Sequence, residues 1–110
     1  RPQLDAARAI GAPVVELHTG AYCEAEGVAR AAQLRRLVEA AAYAVALGLE
    51  CHAGHGLGHD TVGPVAAIPA IRELNIGHFL IGEAIFDGLA GAIRRMRTLM
   101  DAARSTAAPP

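Results

Sequence analysis

The chain has 110 residues, 53% of them hydrophobic and 19% charged, with a formal net charge of −1. This is one small domain's worth of chain with enough apolar residues for a core, and its charge balance gives no electrostatic case for nucleic acid or an anionic membrane as partner. No apolar run reaches the roughly 18 residues of a membrane-spanning helix, no secretory pattern opens the sequence, and Cys23 and Cys51 are too few and too far apart for a disulfide framework, so both read as thiols of a reducing cytoplasm.

Arg1-Pro2-Gln3 leads straight into a helical pattern without an initiator methionine, which reads as a piece of a longer protein. Leu4, Ala7, Ala9 and Ile10 predict a helix stopped by Gly11. Residues 13–18 (PVVELH) predict a mostly buried strand, closed by Thr19-Gly20. From 24 to 47 the pattern is helical, with Leu34, Leu37, Val38, Ala41, Ala42 and Val45 recurring at three and four residues and Gly48 as the stop. Residues 49–53 predict a second strand, which runs into the stretch ECHAGHGLGHD at 50–60. Residues 62–71 form a shorter helical candidate interrupted by Pro69. Residues 73–77 (ELNIG) predict a third strand, followed by a short apolar helix over Phe79, Leu80, Ile81, Ala84 and Ile85. Residues 89–104 predict an amphipathic helix, with Leu89, Ile93, Met96, Leu99 and Met100 on one face and Arg94, Arg95, Arg97 and Asp101 mostly opposite. Residues 105–110 read as a frayed tail.

Strands alternating with helices, and no hairpin turn between them, point to an α/β fold with a parallel sheet. Three such units make either a small open sheet or a segment of a (β/α) barrel, which needs eight strands and roughly 200 residues or more. In both cases ligands bind at the carboxyl ends of the strands. Glu16 and His18 end the first strand, the glycine-histidine stretch ends the second, and Gly77-His78 ends the third.

His52, His55 and His59 have the spacing H-x2-H-x3-H, which zinc can use. Alternation along a strand argues against it, because His52 sits on the strand and His55 lies beyond it in a glycine turn. No metal is expected. His59 is read as solvent-facing and His52 as a hydrogen-bonded strand residue. A phosphate fits better. Gly54, Gly56 and Gly58 leave a backbone whose amides an oxyanion can approach, and Gly77-His78 opens a short helix whose first amides favour an anion. His55, flanked by glycines, gains little from packing and carries an imidazole suited to proton transfer near neutrality. Glu16 is read either as the ion-pair partner of an arginine from elsewhere in the barrel or as a charge that faces the pocket and stabilises a cationic intermediate or positions an amine. All ten basic residues are arginine, so no residue of this chain can form a lysine Schiff base. Arg35, Arg36, Arg94, Arg95 and Arg97 lie on helices and read as solvated faces or subunit contacts.

VVELHTGAY (14–22), HAGHGL (52–57) and ELNIGHFLIGEAIFDGL (73–89) together resemble the C-terminal part of the pyridoxine 5′-phosphate synthase family, with order and spacing kept over the whole chain. The resemblance implies that residues 1–110 are about three βα units of a TIM (β/α)8 barrel, the sixth to eighth strands, with an extra short helix before the last one. It implies a cytoplasmic homo-oligomer, commonly an octamer, that needs no metal and no nucleotide cofactor. Its reaction joins two small phosphorylated substrates, 3-amino-2-oxopropyl phosphate and 1-deoxy-D-xylulose 5-phosphate, into pyridoxine 5′-phosphate, inorganic phosphate and water. The family's general acid falls on His55, its amino-ketone phosphate contacts on Gly56, Gly77 and His78, and its transition-state-stabilising carboxylate on Glu16. The resemblance gives no role to His18, His52 or His59; at His52 the family often has asparagine. The family's other acid/base residues and its second phosphate site belong to its N-terminal half. The competing expectation is therefore an inactive fragment that only binds phosphate or self-associates through uncovered edges.

Overall fold

The computed structural model describes residues 1–106. In chain order the elements are α1 (Pro2–Ala9), β1 (Val14–His18), α2 (Gly20–Glu24), α3 (Gly27–Ala46), β2 (Glu50–Gly54), α4 (Val62–Ala66), β3 (Ile71–Asn75), α5 (His78–Asp87) and α6 (Leu89–Thr106). The strands form one parallel sheet in the order β1-β2-β3. The expected α/β class with three parallel strands is therefore present.

Alternation gives the sheet two unlike faces. Val15, Leu17, Cys51, Ala53, Ile71 and Leu74 point into the hydrophobic core, where Leu37, Ala41 and Ala44 of α3 and Val65 of α4 meet them. Glu16, His18, Glu50, Glu73 and Asn75 lie on the opposite side and are exposed. On that side His52 accepts or donates a 2.7 Å hydrogen bond with Glu50 and lies 3.6 Å from Glu73, so its reading as a hydrogen-bonded strand residue holds. Cys51 points the other way, into the core.

Several boundaries differ from the sequence reading. The third strand is Ile71–Asn75 rather than 73–77. Ile71, only 1% exposed, pairs with Cys51 and starts the strand from inside the core. Arg104 of α6 fixes that start by donating to the carbonyls of Ile68 and Ile71. Between Cys51↔Ile71 and His52↔Glu73 the register slips, leaving Arg72 as the extra residue of a bulge. The helical candidate at 62–71 shortens to Val62–Ala66, because the chain must turn before Pro69. The long helix expected at 24–47 divides into α2 and α3: Gly27 has a left-handed φ of +51°, and Arg30 braces the break by donating to the carbonyls of Ala25 and Cys23 at 2.7 and 3.3 Å. On α3 the buried stripe is Leu37, Ala41 and Ala44. Val38 and Val45 instead stand about half exposed.

On α6, Ala92 and Met96 are buried while Leu89 and Ile93 are about half exposed. Helix α5 buries no side chain, and Ile81, Ile85 and Phe86 are 62%, 80% and 83% exposed. Ser105 and Thr106, expected in a frayed tail, belong to α6; residues 107–110 of that expected tail lie outside the described residues. Arg35, Arg36, Arg94, Arg95 and Arg97 are exposed, as a solvated-face reading requires. No helix among the described residues is long and apolar enough to cross a membrane.

Candidate functional site

The carboxyl ends of all three strands meet at one cavity of about 640 Å³. Its lining includes Glu16 from β1, His55 and Gly56 from the turn after β2, Asn75 from the end of β3, and Gly77 and His78 at the start of α5. All five site residues expected from the sequence are thus brought together. Asn75 joins them; sequence reasoning had passed over it as an ordinary strand residue.

The turn after β2 explains the unusual sequence. His55 is the only non-glycine residue among those described with a positive φ, +83°, and Gly56 follows at +78°. Two left-handed residues in succession fold the backbone sharply, and for histidine that conformation is strained. Thr19, fully buried at the end of β1, holds the strain. Its hydroxyl lies 2.7 Å from the Gly54 carbonyl and 2.6 Å from the His55 carbonyl, so the two acceptors share one proton. The Thr19 amide also donates to the Gly54 carbonyl at 2.7 Å.

The glycines of this stretch do different work from one another. A Cβ on Gly54 would stand 2.7 Å from the Asn75 carbonyl and 2.9 Å from Glu16 Oε1. Its bareness lets the Glu16 carboxylate cross β2 and accept a 2.6 Å hydrogen bond from Asn75 Nδ2. Within this chain Glu16 therefore has an amide partner on β3. The Gly58 amide donates to the buried Thr61 hydroxyl at 2.9 Å, which takes it away from any ligand. Of the three, only Gly56 lines the cavity, so the expected cradle of Gly54, Gly56 and Gly58 amides reduces to Gly56.

Gly77, expected as the end of the third strand, is instead the N-cap of α5. The first helical bond there runs from the Ile81 amide to the Gly77 carbonyl at 3.1 Å. The amides of His78, Phe79 and Leu80 precede it, at the positive end of the helix.

His59 is not solvent-facing. Its side chain is 12% exposed, lies edge-on to Phe79 with ring centroids 4.7 Å apart, and has Nδ1 3.9 Å from Glu83. Its Nε2 is buried without a hydrogen-bond partner. His52, His55 and His59 thus go to three different places, and no group of three or more His, Cys, Asp or Glu side chains among the described residues could hold a metal ion.

Tyr22 ties α2 to the segment before α4: it is 3% exposed and donates to the Thr61 carbonyl at 2.9 Å. Burial raises its phenol above the ordinary value, against the opposing pull of Arg30, so it stays a donor through the neutral range. Burial likewise raises the Cys51 thiol.

The family model described as pyridoxal phosphate biosynthesis protein PdxJ matches residues 1–102. The chain belongs to this family. It is 76% identical over 102 residues to a pyridoxine 5′-phosphate synthase of Rhodospirillum rubrum, covering 92% of the chain and 41% of that relative. Proteins of the same name from Jannaschia sp. and Roseobacter denitrificans are 62% and 63% identical, each over 94% of the chain and over 44% and 43% of their own lengths. The chain thus spans about two fifths of the length of these relatives. The matched part of the Rhodospirillum relative is its C-terminal part.

Proposed function

We propose that the chain forms the C-terminal part of a pyridoxine 5′-phosphate synthase and supplies its general acid and one of its two phosphate sites. The reaction is the condensation of 3-amino-2-oxopropyl phosphate with 1-deoxy-D-xylulose 5-phosphate. The observation that carries the reading is the convergence of His55, Gly56, Gly77, His78 and Glu16 on one cavity in a chain of this family. In the reading, the Gly56 amide and the first amides of α5 hold the phosphate of the amino ketone, where backbone dipoles favour an anion. His55 beside them protonates the departing oxygen in the dehydrations. Glu16, held by Asn75, faces the positive charge that builds on the substrate nitrogen and carbon. The substrate brings its own amine, so the absence of lysine from the chain is no obstacle. The three βα units are a sector of a (β/α)8 barrel in a cytoplasmic homo-oligomer, an octamer by family resemblance.

The test is a chimera in which this chain replaces the matching part of the Rhodospirillum rubrum relative. It should make pyridoxine 5′-phosphate from the two substrates, and His55→Ala should lower kcat by about 10²–10⁴-fold, the usual worth of a general acid, with phosphate affinity little changed. A chimera without synthase activity, or equal losses of turnover and phosphate binding in His55→Ala, refutes the reading.

A second reading concerns the 110-residue chain alone. Ile81, Ile85 and Phe86 are exposed, and β1 and β3 each pair on one side only. Such edges and patches seek partners. By this reading the isolated chain has no synthase activity and self-associates.

A further inference from the structure

We propose that His18 is a positioning residue for His55, fixing the His55 ring by aromatic stacking in the orientation from which it gives up its proton; this rests on the reading of His55 as the general acid. The two rings lie 4.2 Å apart between centroids with 27° between their planes.

The need for such a support follows from the turn. Among the described residues no side chain hydrogen-bonds to the His55 ring, and the residue is exposed. Its glycine neighbours give the ring no wall. The torsion that sets the imidazole plane is broad and soft, whereas a proton donor has to be aimed. A catalytic histidine is usually oriented by a hydrogen-bonding third group. Here the flat face of another imidazole takes that place.

His18 is itself fixed. The Gly20 amide donates to His18 Nδ1 at 3.2 Å. That nitrogen is therefore an acceptor, and the proton of the neutral ring sits on Nε2. Gly20 also leaves the space. A Cβ there would stand 2.6 Å from His18 Cε1 and 3.3 Å from His55 Cδ2. The segment His18-Thr19-Gly20 thus serves the turn twice: Thr19 holds the His55 backbone and His18 holds its ring.

Two substitutions in the chimera separate the ring from its hydrogen bond. His18→Asn keeps an acceptor near the Nδ1 position and removes the ring; His18→Phe keeps a flat ring and removes the acceptor. His18 is exposed, so neither should unfold the chain, and a thermal melt checks this. The expected result for His18→Asn is a kcat lowered about 10- to 100-fold, the scale of a misaligned reacting group, with KM for the amino ketone within about threefold. His18→Phe should recover kcat to within about threefold of the parent. In spectra of the 110-residue chain, the His55 ring protons should move downfield in His18→Asn as the shielding of the stacked ring is lost. A parental kcat in His18→Asn, or equal losses in both variants, overturns the role given to His18. A parental kcat in His55→Ala overturns instead the reading of His55 on which it rests.

Discussion

Gly54→Ala is the sharpest perturbation of the frame that holds the candidate site. The added methyl would lie 2.7 Å from a backbone oxygen, that of Asn75, 2.9 Å from Glu16 Oε1 and 3.1 Å from Asn75 Cβ. The Glu16 carboxylate can swing aside, but the β3 backbone cannot move without disturbing the register Gly54↔Asn75. The cost is that of overpacking, about 1–3 kcal/mol. Loss of the exposed Glu16–Asn75 bond adds little. With a urea m-value of about 1–2 kcal/mol/M for a chain of this size, the unfolding midpoint should fall by about 0.5–3 M. Gly63→Ala is the control, since nothing lies within 4 Å of its Cβ position and it sits inside α4. It should be stabilising by about 0.4–1 kcal/mol through the unfolded chain. Both are measured by urea titration at one fixed protein concentration. A Gly54→Ala midpoint at or above that of the parent would refute the argument that Glu16 crosses the sheet over a bare Cα.

Thr19→Val keeps the shape and removes the proton shared by the Gly54 and His55 carbonyls; it should cost about 1–3 kcal/mol, with Thr19→Ser restoring most of it, and equal melting temperatures for the Val and Ser variants would count against the clamp. With no lysine in the chain, alkaline titration reports chiefly thiols and phenols. Burial raises Cys51 above 9.0 and Tyr22 above 10.0, so the folded state holds these protons when the unfolded chain has lost them; stability is full below pH 9 and falls as pH rises past those values. Cys51→Ala should delay the onset of that fall toward pH 10, and an unchanged onset would exclude Cys51 as its source. In sedimentation the 110-residue chain should associate as concentration rises, and Ile85→Glu with Phe86→Glu should keep it monomeric; association unaffected by both would place the contact elsewhere.

What the sequence made legible was the local part. Apolar runs beside glycine gave the positions of β1 and β2 almost to the residue, and the rim residues were visible because polar and glycine positions follow those runs. What escaped depended on contacts across the chain. The start of β3 is set by Ile71 entering the core and by Arg104 reaching back from α6, while Ile76 and Gly77 looked locally like strand and its end. The division between α2 and α3 was signalled by Gly27, which the helical periodicity around it concealed. Thr19, Gly20 and Asn75 were present in the motifs, yet their work is done on His55, His18 and Glu16 across neighbouring strands, which no spacing within one strand displays. His59 was misread because a histidine in a glycine loop looks exposed until Phe79 packs against it.

The two faces of the sheet bear on the architecture proposed for the whole protein. In a doubly wound sheet helices cover both faces. Here a helix laid across the second face would have to cover Glu16, Glu50, Glu73 and His52, and taking uncompensated carboxylates out of water costs several kcal/mol per ion. His52 can offset part of that for Glu50 and Glu73, but Glu16 has only an amide partner. Strands that follow one another in order, β1-β2-β3, with α3 and α4 joined to the core face, are what a singly wound barrel requires. In a barrel the opposite face turns inward, toward an interior where such charges meet one another or a ligand. The same geometry explains why the cavity lies at the carboxyl end. There the polar face of β1 ends in His18, that of β2 in bare Gly54 and that of β3 in Asn75, so the smallest residue stands in the middle strand and the carboxylate of Glu16 can reach across it. Filling Gly54 would force apart Glu16 and the Asn75 backbone, both of which line the cavity, and for that reason its bareness is as much a requirement of the proposed site as the imidazole of His55.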